Sequence, residues 1–101
     1  NIAYLYNHFN PAVLRLIQRT ITSARENGIW AGMCGEMASD PNAAVLLMAM
    51  GISELSMSAP SIPRVKEKIR NISSIKAKEI LADVMEMEDG DEIKAYLAKI
   101  V

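Results

Sequence analysis

Apolar positions along the chain fall into blocks that switch between helical and strand-like spacing. Val13, Leu14, Ile17, Ile21 and Ala24 recur three or four residues apart, with Arg15, Gln18, Arg19, Thr22 and Arg25 on the other faces, which predicts an amphipathic helix. Asn10 before Pro11 predicts its start: an Asn side chain caps the first free N–H groups, and proline lacks only an N–H that would have no partner there. Gly28 stops it. The run Ile29 to Cys34, carrying Trp30 and Met33 and closed by Gly35, is short and predicts a buried strand. Asp40-Pro41 repeats the start signal, and the segment to Met50 is apolar on nearly every side, as in a helix enclosed by other elements, with Gly51 as its stop. From Ile52 to Ser58, Leu55 and Met57 alternate with Ser56 and Ser58, which predicts a second strand. Ala59, Pro60 and Ser61 then lead into a proline-started helix with Val65 and Ile69 inward.

Beyond Asn71 the pattern is purely helical. Ser73 or Ser74 caps a segment with Ile80, Leu81, Val84 and Met85 on one side, and Asp89-Gly90 breaks it. Asp91 is expected to cap a last helix bearing Ile93, Tyr96, Leu97 and Ile100. The order helix, strand, helix, strand, helix is that of β/α units on a parallel sheet, so the fold class is α/β, although two strands alone make a poor sheet. There is no internal repeat, no low-complexity linker and no domain boundary within the chain.

Composition narrows the function classes. With 101 residues, half of them hydrophobic, one modest core can be built. The formal net charge of −1 points toward neither nucleic acid nor an anionic membrane. A single cysteine forms no internal disulfide, which suits a reducing cytosol. The stretch Ala43 to Met50 falls well short of the ~20 apolar residues that span a bilayer, so no membrane helix is expected. No signal peptide is visible, and Asn1 in place of Met implies an internal fragment or processed product.

Few residues offer chemistry. Cys34, flanked by Gly32 and Gly35 at the end of the first strand, is either a small buried hydrophobe or a weak acid that a ligand could approach closely. Glu36 reads as a loop or capping charge, and the one histidine, His8, as a loop or surface residue. Ser56 and Ser58 read as interior filling, with the alternative of lining a pocket. Arg64, Lys66, Lys68 and Arg70, interleaved with Glu67, form a solvated helix face, and the seven methionines are adaptable core filler. No Cys/His cluster has zinc spacing.

Three segments carry a resemblance by their order and separation: Gly-Met-Cys-Gly-Glu-Met-Ala-Ser-Asp at 32–40, Glu-Leu-Ser-Met-Ser at 54–58 and Ser-Ile-Pro-Arg-Val-Lys at 61–66. With Tyr4-Leu5-Tyr6, Asn10-Pro11 and Ile69-Arg70-Asn71, the chain resembles the end of the phosphoenolpyruvate-binding domain of the enzyme I family of the bacterial phosphotransferase system. Pyruvate phosphate dikinase and phosphoenolpyruvate synthase share the Cys-Gly element, and the segment Glu54 to Arg70 favours enzyme I among them. The resemblance implies a C-terminal fragment of a (β/α)8 TIM barrel: about the last two β/α units over residues 1–101, with 72–101 a helical tail. Ile29 to Cys34 would be the seventh strand and Glu54 to Ser58 the eighth, placing Cys34 at the C-terminal mouth where such barrels hold their chemistry.

It also implies an activity. The phosphoryl group of phosphoenolpyruvate passes to a histidine on another domain, so not to His8, and on to the phosphocarrier protein HPr for sugar uptake. Cys34 would protonate the enolate to give pyruvate. Magnesium is implied as cofactor, with its ligands and the phosphate-gripping arginines upstream of Asn1, so this chain alone is expected to be inactive. A homodimer through this domain and a cytoplasmic location are implied as well, and unpaired sheet edges predict self-association of the isolated chain. Competing readings are a non-catalytic helical interaction or oligomerisation module with Cys34 in its core, and the equivalent part of pyruvate phosphate dikinase.

Overall fold

The computed structural model describes residues 8–100; the Tyr4-Leu5-Tyr6 motif lies outside them. Helix α1, Pro11–Glu26, starts where Asn10 Oδ1 accepts the Ala12 N–H at 2.9 Å, and its inward face is anchored by buried Leu14 and Ile21. The chain leaves it through Asn27 and Gly28.

Two short strands follow the expected order. β1, Gly32–Cys34, and β2, Glu54–Ser56, pair in parallel, with Gly32 opposite Glu54, Met33 opposite Leu55 and Cys34 opposite Ser56. One rung before the ladder, the Ser53 N–H donates to the Ala31 carbonyl at 2.9 Å and the Ala31 N–H donates to Ser53 Oγ at 3.2 Å. Both strands are shorter than the sequence pattern predicts, and the first is not buried: Ile29 is 63% and Trp30 64% exposed. A parallel strand is buried when it has neighbours on both edges and layers on both faces. Among the described residues β1 has one neighbouring strand and one covered face.

Between the strands lie a four-residue helix α2, Glu36–Ser39, which periodicity could not reveal, and α3, Pro41–Met50. Asp40 caps α3, its Oδ1 accepting the N–H groups of Asn42 at 2.9 Å and Ala43 at 3.3 Å. Gly51 closes it in the left-handed conformation, φ 94°, which glycine adopts without a Cβ penalty. Ala43, Ala44, Val45, Leu46 and Leu47 are fully buried. A helix apolar on every side must be enclosed, and α3 touches α1, α2, α4 and α5.

A 3-10 turn, Ala59–Ser61, leads into α4, Ile62–Arg70, whose Val65 is buried. α5, Ser74–Met85, is capped by Ser73, whose Oγ accepts the Lys76 N–H at 3.0 Å, and buries Ala77, Ile80, Leu81 and Val84. α6, Gly90–Ile100, begins two residues earlier than expected: Asp89, not Asp91, supplies the cap, accepting the Asp91 N–H at 2.9 Å. Gly90 thus opens the helix rather than breaking the chain. Ile93 and Leu97 are buried as expected, whereas Ile100, the last residue of α6, is 44% exposed. The product is an α-rich α/β arrangement in which one parallel strand pair leans on a helical core.

Candidate active site

Parallel pairing sends the carboxyl ends of both strands to the same side of the sheet, and both loops that leave it there are short. Residues paired across the strands point to the same face, and side chains alternate along each strand. Met33 and Leu55 pack against the helical core, while Gly32, Cys34, Glu54 and Ser56 are exposed on the opposite face. Cys34 is a free, exposed thiol at the last residue of β1. The reading of Cys34 as a small buried hydrophobe is therefore overturned. Gly35, at φ 84°, turns the chain immediately after it into α2.

Beside the thiol the two loops frame an open cleft of about 960 Å³, lined among others by His8, Glu36, Asp40, Ser58, Ser61 and Arg64. The Cys34 side chain is not part of this wall, although its neighbour Gly35 and its cross-strand partner Ser56 are. Glu36 sits in the first turn of α2, as the capping reading expects. Ser56 donates to Glu54 Oε2 at 3.3 Å, the Ser58 and Ser61 hydroxyls share a 3.3 Å hydrogen bond, and Ser56 and Ser58 both line the cleft, as the pocket-lining alternative expects.

His8 is half-buried in the cleft wall, its Nε2 3.0 Å from Asp40 Oδ2 and its ring 4.5 Å from that of Phe9. Asp40 therefore uses one oxygen to cap α3 and the other to hold the segment before α1. Contacts between residues 32 apart have no local sequence signal, and the Asp40-Pro41 cap announced only half of this residue's role. Among the described residues no group of three or more His, Cys, Asp or Glu could hold a metal ion.

Residues 1–74 match the family described as PEP-utilising enzyme, PEP-binding domain. The chain belongs to this family. The match takes in both strands, Cys34 and every residue lining the cleft, and ends where α5 begins. The chain is 46% identical over 92 residues to the phosphoenolpyruvate-protein phosphotransferase of Buchnera aphidicola subsp. Acyrthosiphon pisum, covering 91% of this chain and 16% of that protein. It is 50% identical over 82 residues to the same-named protein of Haemophilus influenzae, covering 81% of this chain and 14% of the relative. Multiphosphoryl transfer protein 1 of Escherichia coli is 38% identical over 96 residues, covering 95% of this chain and 12% of the relative. The chain thus spans a small part of the length of these curated relatives. Among the described residues no helix is long and apolar enough to cross a membrane.

Proposed function

We propose that this chain forms the C-terminal part of the barrel domain of a phosphoenolpyruvate-protein phosphotransferase, and that Cys34 is its proton donor. Loss of the phosphoryl group from phosphoenolpyruvate leaves the enolate of pyruvate. In the proposed step the enolate oxygen collapses to a carbonyl while the C2–C3 π pair takes the Cys34 proton, forming a C3–H bond as the S–H bond breaks. The thiolate left behind regains a proton from solvent. Run in reverse, the thiolate removes a C3 proton from pyruvate. A weak acid with an ordinary thiol pKa of about 8.5 can serve both directions near neutral pH.

The observation that carries this reading is the placement of Cys34: a free thiol at the carboxyl end of a parallel strand, on the face that helices leave uncovered. That face is where the remaining strands of a (β/α)8 barrel would close, putting Cys34 at the mouth. The oligomerisation-module reading requires Cys34 in a core, which its exposure opposes. The names of the relatives support the phosphotransferase over the dikinase. On this reading the phosphoryl acceptor histidine, HPr docking, magnesium, the dimer contact and a cytoplasmic setting belong to the whole protein.

The test is hydrogen exchange at C3 of pyruvate in deuterated solvent, followed by NMR with the intact parent protein and magnesium. Wild type should exchange, and Cys34→Ala should lose exchange while retaining part of its histidine phosphorylation. Equal exchange by both proteins would overturn the role given to Cys34.

A further inference from the structure

A second cleft, of about 620 Å³, lies on the far side of Pro41 and Arg64 from the first, between α4, the start of α5 and the end of α6. We propose that it binds a small phosphate-bearing ligand. The basic run of α4, which sequence alone reads as one solvated face, is divided by the helix: Arg64, Lys68 and Asn71 line this cleft, whereas Lys66 and Arg70 border a different depression. Positions 64, 68 and 71 follow the helical repeat and share one side.

Lys76, from the first turn of α5, joins Arg64 and Lys68 in the cleft, where Glu67 is the one acidic side chain among the described lining residues. A chain of net charge −1 therefore sets three basic side chains against one acidic side chain in the described lining of this cleft. The side chains of Arg64 and Lys76 make no ion pair or hydrogen bond among the described residues, so their donors are available to a ligand. Guanidinium and ammonium groups suit a tetrahedral oxyanion, while the Asn71 amide donates to the Glu67 carbonyl at 2.8 Å and closes the end of α4. Ile72 and Ile100 provide an apolar wall for the body that carries it. The size lies within the usual ~300–1,000 Å³ of small-molecule pockets. Three cations in one hollow, rather than a stripe, do not suit nucleic acid.

The test is a titration of the 15N-labelled chain with sodium phosphate, with sodium chloride at matched ionic strength as reference. Saturable shifts are expected at the amides of Lys68, Asn71 and Lys76. Arg64→Gln and Lys76→Gln should each weaken binding about three- to tenfold, the effect of one partly exposed charge-assisted contact. Lys66→Gln, on the other side of α4, should leave it unchanged. Phenyl phosphate should bind more tightly than inorganic phosphate by using Ile72 and Ile100. Shifts that never saturate, or equal weakening by Lys66→Gln, would show diffuse attraction and overturn the site; weaker binding of phenyl phosphate would overturn the ester assignment. None of these readouts involves the Cys34 thiol.

Discussion

The Tyr96 hydroxyl donates a 2.6 Å hydrogen bond to Oδ2 of Asp83, tying α6 to α5. This bond, with smaller contributions from desolvation and from the charges of Asp83 and Glu79, pushes the Tyr96 pKa from 10.0 up to about 12. The folded protein then keeps a phenolic proton that the unfolded chain releases above pH 10. Stability from this pair is complete below pH 10 and is lost as pH rises through the folded value of about 12. Denaturant unfolding of wild type and Tyr96→Phe, compared across this window, should show the difference between them shrinking as pH rises. A difference independent of pH would refute the coupling.

Asp40 is expected to matter for stability through the α3 cap. Asp40→Ala should cost about 0.5–2 kcal/mol, since two N–H groups at the start of α3 lose their acceptor. Asp40→Asn keeps an acceptor and should recover most of this in urea unfolding, while removing the carboxylate charge that faces His8 Nε2 at 3.0 Å. Equal destabilisation by Ala and Asn would mean that the His8 contact dominates.

Gly51 cannot be replaced cheaply. Its φ of 94° lies where residues with a Cβ pay about 1–2 kcal/mol, and a Cβ there would run into the Arg25 guanidinium packed over the end of α3. Gly51→Ala should lower the melting temperature measurably by calorimetry. The double variant with Arg25→Ala should recover the part due to crowding and retain the part due to the backbone.

Exposure of Cys34 predicts one thiol per chain that reacts with Ellman's reagent in the native protein without prior unfolding. Cys34→Ser should change unfolding stability by no more than about 0.5 kcal/mol, as expected at an exposed site. A thiol that reacts only in denaturant would contradict the placement of β1.

Local signals account for what the sequence could say of this fold. The Asn10, Asp40 and Ser73 caps and the glycine stops act within a few residues of themselves, so they are legible one residue at a time. α3 could be recognised because its apolarity on all sides has one physical outcome. The expected burial of Ile29 and Trp30 failed because burial depends on neighbours, and β1 has a single partner strand among the described residues. Asp89 and Asp91 are both capable caps, and only the backbone geometry chooses between them. At the site, Cys34 was visible through its glycine-flanked motif, whereas the His8–Asp40 contact and the sorting of α4 cations into separate hollows arise from packing.

The two three-residue strands divide their labour by alternation. Met33 and Leu55 answer to the helical core, whereas Cys34, Glu54 and Ser56 face away from it on the exposed side. A lineage could therefore change the chemistry of this surface without renegotiating its packing. Conversely, drift in the core can be absorbed by compensating changes on the helices while the thiol stays where it is.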